Sequence, residues 1–481
     1  MVHRPLSMDN YTILGTAHEI RPTTNGPRSM PVIRQLSSVN PYSLFPPINY
    51  LCTQKETTML QTGLIRQDAE FVKERLKVKH VADLSVVDNI LQMDEELRRL
   101  KTETESLQAG MNAAAKEIGQ LMAQGNKEAA EQKRAEVTAQ KAGIQEKGQA
   151  LADLEKKLHD ELVKLPNLPH SSVPLGKTPE ENEVVREGGK KPTLPEGAVP
   201  HWDLIKQYDL VDFETGAKIT GSGFPLYKGK GARLQRALVQ YFLDYNTAAG
   251  YTEYLPPHLV NEASAYGTGQ LPDKEGQMYH ATEDNFFLIP TAEVPITNIY
   301  RDEIVKESDL PIKMTAYTPC FRREAGSFGK DVRGLNRVHQ FDKVEIVQLV
   351  DPAKSYETLE QMVLHVENLL QQLQLPYRIL RLCGGDMSFA SALTYDFEVY
   401  SAAQEKWLEC SSVSNFETFQ TNRMKIRYKD AVGKTQLVHS LNGSSLALPR
   451  IVACMLENNQ TPEGIQLPAV LHSYFGDTVI K

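Results

Sequence analysis

The stretch Thr318-Pro-Cys-Phe-Arg-Arg-Glu-Ala-Gly-Ser-Phe-Gly-Lys-Asp-Val-Arg-Gly-Leu-Asn-Arg-Val-His-Gln-Phe-Asp-Lys-Val-Glu345 holds the densest set of side chains able to do chemistry. It reads as a strand ending in Phe321-Arg322, a glycine-containing loop, and a second strand from Val338. An arginine at a strand end beside a carboxylate makes a nucleotide clamp, because Arg322 can grip a phosphate through two parallel N–H bonds. Glu324 has the polarity to accept from an adenine amino group, and Phe341 can stack on a base. Taken singly, each is equally well read as an ion pair or a packed aromatic. The combination is more specific than any one member. No Ser-His-Asp or Cys-His pattern points to a protein nucleophile. Gly221-Ser-Gly223 and Gly384-Gly385 read as isolated turns, not as phosphate loops.

Such residues need a rigid frame. From Trp202 onward, helical segments alternate with strand-like runs at 283–289, 344–350, 375–382 and 394–400. The order is not regular βαβ, so the expected class is α+β with a mainly antiparallel sheet flanked by helices. Upstream, Ile90, Leu97, Thr104, Met111 and Ile118 form one heptad series, and Met93, Leu100, Leu107, Ala114 and Leu121 follow three residues behind. Gly125-Asn126 signals a turn. Val137, Ile144, Leu151, Leu158 and Leu165 then return at seven-residue spacing, thickened by Leu154 and Leu162. Pro166-Asn-Leu-Pro169 stops the run. The spacing predicts a long antiparallel helical hairpin, a coiled coil reaching about 45–60 Å. Its seam thins toward the turn, where Ala129, Ala130, Ala135 and Ala139 replace large residues. Lys127, Lys133, Arg134, Lys141 and Lys147 could meet phosphates. Interleaved Glu128, Glu131, Glu136 and Glu146 also suit a solvated face, a dimerisation coil or a spacer.

The chain has 481 residues, of which 41 % are hydrophobic, and this excludes wholesale disorder. Its 53 Lys+Arg against 61 Asp+Glu give a net charge of −8, which argues against a general polyanion binder but not against a local basic face. Five cysteines without a CxxC pair read as reduced thiols of a cytoplasmic protein. No apolar run is long enough to span a membrane. Residues 1–58, rich in Pro, Ser, Thr and Asn, are expected as a disordered tail or an extension from an upstream start before Met59. A transit peptide is the alternative, because only Asp9, Glu19 and Glu56 are acidic there. The helical arm is then expected at 59–170 and a second domain at 171–481, opening on a Pro-, Gly- and Glu-rich linker or surface extension.

The Phe321-Arg-Arg-Glu324 strand, loop and second strand resemble motif 2 of the class II aminoacyl-tRNA synthetases, and the ending Val338-His-Gln-Phe-Asp-Lys-Val-Glu345 looks like the seryl-tRNA synthetase family. Leu441-Asn-Gly-Ser-Ser-Leu-Ala-Leu-Pro-Arg450 resembles motif 3. Leu288-Ile-Pro-Thr-Ala-Glu-Val-Pro-Ile296 resembles the family's serine-recognition loop. Gly250 through Pro256-Pro257 resembles the dimer-forming motif 1, and Glu409-Cys-Ser-Ser412 its late-strand element. Pro449 stands where many relatives carry glycine, and proline suits a first helical turn, so Arg450 is expected to keep its place.

The resemblance covers roughly Met59 to Lys481 and implies a homodimeric enzyme with a class II catalytic domain. That enzyme would join L-serine to tRNA(Ser), and to tRNA(Sec) where present, using ATP and Mg²⁺. The hairpin would grip the tRNA. Arg322 would hold the α-phosphate and the serine carboxylate, and Arg450 the γ-phosphate. Glu324 and the Val338 backbone would read adenine, with Phe341 stacked on it. Arg323, Cys410 and Ser411 would complete the ATP site, and Glu409 and Ser412 would hold the metal. Thr291, Ala292, Glu293, Glu345, Asn442 and Ser444 would form the serine pocket. Rejecting threonine requires a rigid wall, which the sequence does not identify. Relatives that charge a carrier protein lack the hairpin. A non-catalytic relative would have lost Arg322, Glu324, Glu409 or Arg450, and all four are present.

Overall fold

The computed structural model describes residues 62–273, 276–324 and 333–481. The extension expected at 1–58, and most of the loop joining the two motif 2 strands, lie outside the described residues.

Two helices form the arm: α1 (Ser85–Ala123) and α2 (Lys127–Leu162). The 39 residues of α1 span about 58 Å at 1.5 Å per residue. The turn falls where glycine and asparagine ask for it. Gly125 has a φ of 78°, and the Asn126 side chain caps α2 by accepting from the Ala129 N–H at 3.3 Å. Most seam residues, Leu97, Leu107, Met111, Ile144 and Leu151 among them, are only half-buried, because two helices alone cannot enclose their shared stripe. Lys147 pairs with Glu103 across the hairpin at 2.6 Å, and Lys133 with Glu117 at 3.3 Å. Two of the five basic residues are therefore spent within the arm. Lys127, Arg134 and Lys141 remain exposed.

The arm's firm core lies at its root. Two short helices, Thr62–Gln67 and Ala69–Val78, close over it. Leu64, Ile65, Val72 and Leu76 from them pack with Val87, Ile90, Leu158 and Leu165. The heptad reading, which began at Ile90, did not foresee these helices.

The rest of the chain is built on an eight-stranded sheet. In chain order its strands are β1 (Glu183–Gly188), β2 (Thr252–Tyr254), β3 (Ile312–Phe321), β4 (Gln340–Val350), β5 (Tyr377–Arg381), β6 (Leu393–Ser401), β7 (Lys406–Glu417) and β8 (His439–Ala447). Their spatial order is β1-β5-β6-β7-β8-β4-β3-β2, antiparallel throughout except for the β2–β3 pair. The α+β expectation holds. The strand expected at 283–289 is reduced to Phe286–Leu288 in a separate small sheet, because Asn285 takes a left-handed φ of 52° and turns the chain there.

Three further helices cover one face of the large sheet: α3 (Gly229–Ala248), α4 (Ser355–Gln372) and α5 (Leu448–Asn458). Leu238, Phe242, Leu359, Val363, Ile451 and Met455 pack there against Val344, Ile346, Phe397 and Val413. Side chains alternate between the faces of a strand. Lys343 and Glu345 therefore point to the opposite face, as do Val347 and Leu349 in a second apolar cluster with Met314 and Ala316. That opposite face is apolar at one end and charged at the other. Among the described residues, Cys320, Cys383, Cys410 and Cys454 are free and buried, and no helix is long and apolar enough to cross a membrane.

Ile90→Ala at the buried root should destabilise the helical domain by about 2–5 kcal/mol in urea unfolding. Leu107→Ala, at the half-buried seam, should cost clearly less. Equal losses would contradict a stability centred on the root.

Candidate active site

The charged end of the sheet carries two adjoining chambers, of about 230 and 470 Å³, which share Arg322, Glu324, Arg337, Lys343, Ser412 and Ser444. Arg322 stands where β3 ends. Its N–H donates to the His339 carbonyl at 2.9 Å, and the His339 N–H donates to the Gly223 carbonyl at 2.9 Å. A Cβ on Gly223 would lie 2.4 Å from the His339 ring, and its φ is 82°, so only glycine fits. The isolated Gly221-Ser-Gly223 turn thus supports the clamp from behind. The Arg322 guanidinium sits 5.3 Å from the centre of the Phe341 ring, within cation–π range. Glu324 then takes a left-handed φ of 50°. Gln277 holds this bend, accepting from Arg323 N–H at 2.9 Å and from Glu324 N–H at 3.1 Å. The Glu324 carboxylate is ion-paired with Arg337.

The larger chamber is lined by Thr291, Glu293, Glu345, Asn442 and Ser444. Glu345 is buried, ion-paired with Lys343 at 2.7 Å and accepting from the Thr291 hydroxyl at 3.0 Å. Burial pushes its pKa up, and Lys343 opposes the shift. Glu293 sits on the short helix Glu293–Thr297 and accepts from Gln420 at 2.6 Å. Burial, and then the neighbouring Glu345 charge, push its pKa up to about 7. Two carboxylates against one lysine leave a site suited to an ammonium and a hydroxyl.

The smaller chamber is closed by Glu409, Ser412 and Arg450. Arg450 enters from the first turn of α5, directly after Pro449, as the proline predicted. It donates to the Asn336 carbonyl at 3.0 Å and the Glu409 carbonyl at 2.7 Å, and lies 3.5 Å from the Glu409 carboxylate. Asp396 pairs in register with Ser412 on the neighbouring strand. Its Oδ1 is buried without a hydrogen-bond partner, and burial beside Glu409 holds its carboxyl well above the usual range. Glu409 and Ser412 offer the oxygen donors that Mg²⁺ prefers. Among the described residues no group of three His, Cys, Asp or Glu can hold a metal alone, so phosphate oxygens and water would complete the shell.

Residues 59–169 match the model of the seryl-tRNA synthetase N-terminal domain, and residues 277–459 match that of the tRNA synthetase class II core domain (G, H, P, S and T). A serine–tRNA ligase of Salinibacter ruber is 49 % identical over 87 % of this chain and 98 % of its own length. The chain belongs to the seryl-tRNA synthetase family. Another relative, the serine–tRNA ligase of Methylacidiphilum infernorum, is 46 % identical over 87 % of this chain and 99 % of its own. The seryl-tRNA synthetase of Pyrococcus horikoshii, solved in complex with ATP, superposes with a TM-score of 0.82 at 33 % identity, covering 88 % of this chain and 99 % of that one.

Most residues expected from the seryl-tRNA synthetase resemblance line the two chambers, and three stand apart. Arg323 follows Arg322 beyond the end of β3 and lines neither chamber. Ala292 is buried in the apolar cluster with Ile296 and Met314. Cys410 borders the smaller chamber, but its thiol donates to the Phe397 carbonyl within the main core, leaving only its backbone for a ligand. Sequence reasoning passed over Lys343, although its place two residues before Glu345 on a strand was the signal. Arg337, Gln277 and Asp396 carried no local signal, since their roles arise from contacts between elements.

An ammonium ligand beside Glu293 needs the ionised carboxylate. The KM for serine should therefore climb by about tenfold per unit as pH falls below about 7. Glu293→Gln should raise KM and flatten that dependence. Serine titrations of ATP–pyrophosphate exchange across about pH 6 to 8 check both, and a flat native profile would contradict the pairing.

Proposed function

We infer that this chain is an ATP-dependent serine–tRNA ligase. It activates L-serine and transfers it to the 3′ end of tRNA(Ser) and, by the same resemblance, of tRNA(Sec) where a cell contains one. The observation that carries the reading is the adjacency of the two chambers across Arg322. One holds a buried acid–lysine cluster able to take an ammonium and a hydroxyl, and the other is lined by arginines and an aromatic ring.

In the first step a serine carboxylate oxygen attacks the α-phosphorus in line. A new P–O bond forms, the bond to the β-phosphate bridging oxygen breaks, and pyrophosphate leaves. Arg322 lies at the border, where one guanidinium can touch both the carboxylate and the α-phosphate and hold them in near-attack geometry. Glu293 and Glu345 receive the ammonium and hydroxyl, with Thr291, Asn442 and Ser444 completing the pocket. Phe341 stacks on adenine, while Glu324 and the Val338 backbone read its edge. Arg450, freed from Glu409, takes the γ-phosphate. Glu409 and Ser412 would hold Mg²⁺, which would offset phosphate charge. In the second step a ribose hydroxyl of the terminal adenosine attacks the acyl carbon, the C–O bond to AMP breaks, and the hydroxyl proton is lost as the ester forms.

The domain division follows the same reading: an arm domain over 59–170 grips tRNA and a catalytic domain over 171–481 carries the chemistry. The arm's exposed Lys127, Arg134 and Lys141 are free to meet phosphates. Exposed Leu255, Leu259 and Phe286 suit burial in a homodimer. Buried free thiols suit the cytoplasm.

Arg322→Ala should lower serine-dependent ATP–pyrophosphate exchange by about 10²-fold or more while leaving the melting temperature nearly unchanged. Near-native exchange would refute the clamp. Replacing residues 104–146 by a short turn joins α1 and α2 at the Glu103–Lys147 contact and spares the root core. This variant should retain exchange and lose tRNA charging, and retained charging would refute the arm's role.

A further inference from the structure

Threonine differs from serine by one methyl group, and a pocket that can relax discriminates only weakly on that basis. The wall of the larger chamber therefore matters. Ser388, Phe389 and Ala390 form part of it, together with Phe416. Ser388, Phe389 and Ala390 lie in a segment, 382–392, that is neither helix nor strand, so its carbonyls have no ladder to join.

All four carbonyls from 388 to 391 are held from the helical domain. Lys79, which caps the helix Ala69–Val78, donates through Nζ to Ser388 O at 2.7 Å, Phe389 O at 3.2 Å and Ser391 O at 2.8 Å. Asn167, just beyond α2, donates through Nδ2 to Ala390 O at 2.9 Å and to Phe416 O at 2.9 Å, and through its N–H to Phe389 O at 2.9 Å. Lys79 is half-buried, and the protein around its ammonium pushes its pKa down to about 7. Its three hydrogen bonds all run to backbone carbonyls. A lysine desolvated only to bind backbone carbonyls is an expensive way to tie two domains together, and the carbonyls it binds belong to the chamber wall. The wall has little slack. Ala390, Phe416 and Phe419 form one apolar cluster, and a Cβ added to Gly269 would meet Phe419 at 3.3 Å and Ala390 at 3.4 Å.

We propose that Lys79 is a positioning residue for amino-acid selection: its ammonium fixes the Ser388–Ser391 backbone so that this part of the chamber wall does not shift to accommodate a side chain one methyl larger than serine's. This rests on the assignment of serine to the larger chamber.

The test is ATP–pyrophosphate exchange by the full-length K79M variant with serine and with threonine. KM for serine should rise about tenfold, KM for ATP should stay within about twofold, and the threonine-to-serine ratio of kcat/KM should rise about tenfold or more, the scale set by one methyl in a pocket. Asn167→Ala should shift the same quantities in the same direction. An unchanged serine KM and unchanged ratio in folded K79M would overturn the proposal. So would KM values for ATP and serine that rise together, the mark of a purely structural tie. If K79M does not fold, K79Q, which keeps two N–H donors, is read by the same criteria. Glu293→Gln in the same assay separates the two claims. If it leaves the serine KM unmoved, the chamber assignment fails and the selection role falls with it; amide hydrogen exchange across 388–391 in K79M then tests the hold on the wall alone, faster exchange supporting it and unchanged exchange overturning it.

Discussion

The ion pair between Lys343 and Glu345 sits on the one constraint that the rest of the molecule obeys. A strand presents alternate residues to opposite faces. On β4 that alternation sends Val344 and Ile346 into the helix-covered core, and Lys343 and Glu345 into the open end of the other face. A slip of one residue would bury the charges among leucines and expose the valines. The register of β4 against β3 and β8 is thus fixed by the core and delivers the site as a by-product.

Charge balance explains why so many ionisable groups coexist there. Lys343 partly neutralises Glu345, and Glu293 is pushed toward its neutral form by burial and then by the neighbouring Glu345 charge. Removing one member of such a buried pair typically costs about 3–5 kcal/mol, since its partner is left uncompensated. The nucleotide side works differently. Arg337 with Glu324, and Arg450 with Glu409, are partly exposed pairs. Pairs of that kind are worth about 0–1 kcal/mol, so phosphates and a base can displace the partners at little cost. The amino-acid side is rigid and prepaid, whereas the nucleotide side is held provisionally.

The arm follows a third logic. Its length gives reach, and its half-buried seam gives little stability, so it leans on the root cluster around Ile90 and Leu158. The same root carries Lys79 and Asn167 against the catalytic domain. Lys79 is therefore in hydrogen-bonding contact with a stretch of the chamber wall more than three hundred residues away in sequence.

Periodicity and composition determined much of this protein. Heptad spacing defined the two arm helices, and Gly125-Asn126 marked their turn to the residue. The Phe321-Arg-Arg-Glu324 and Leu441–Arg450 segments announced the family and most of the residues lining the two chambers. These features are local, because each is set by a helix or strand period or by a residue's own torsional preference. What the tertiary structure alone decided was contact between elements far apart in sequence. It buried the Cys410 thiol in the core, set Arg323 outside both chambers, and brought Arg337 to Glu324 and Asp396 to Ser412. It also folded two unannounced helices over the arm's root and set Lys79 against carbonyls more than three hundred residues away. Side-chain direction and burial depend on what packs opposite, and that information is spread over the whole chain rather than written at the residue itself.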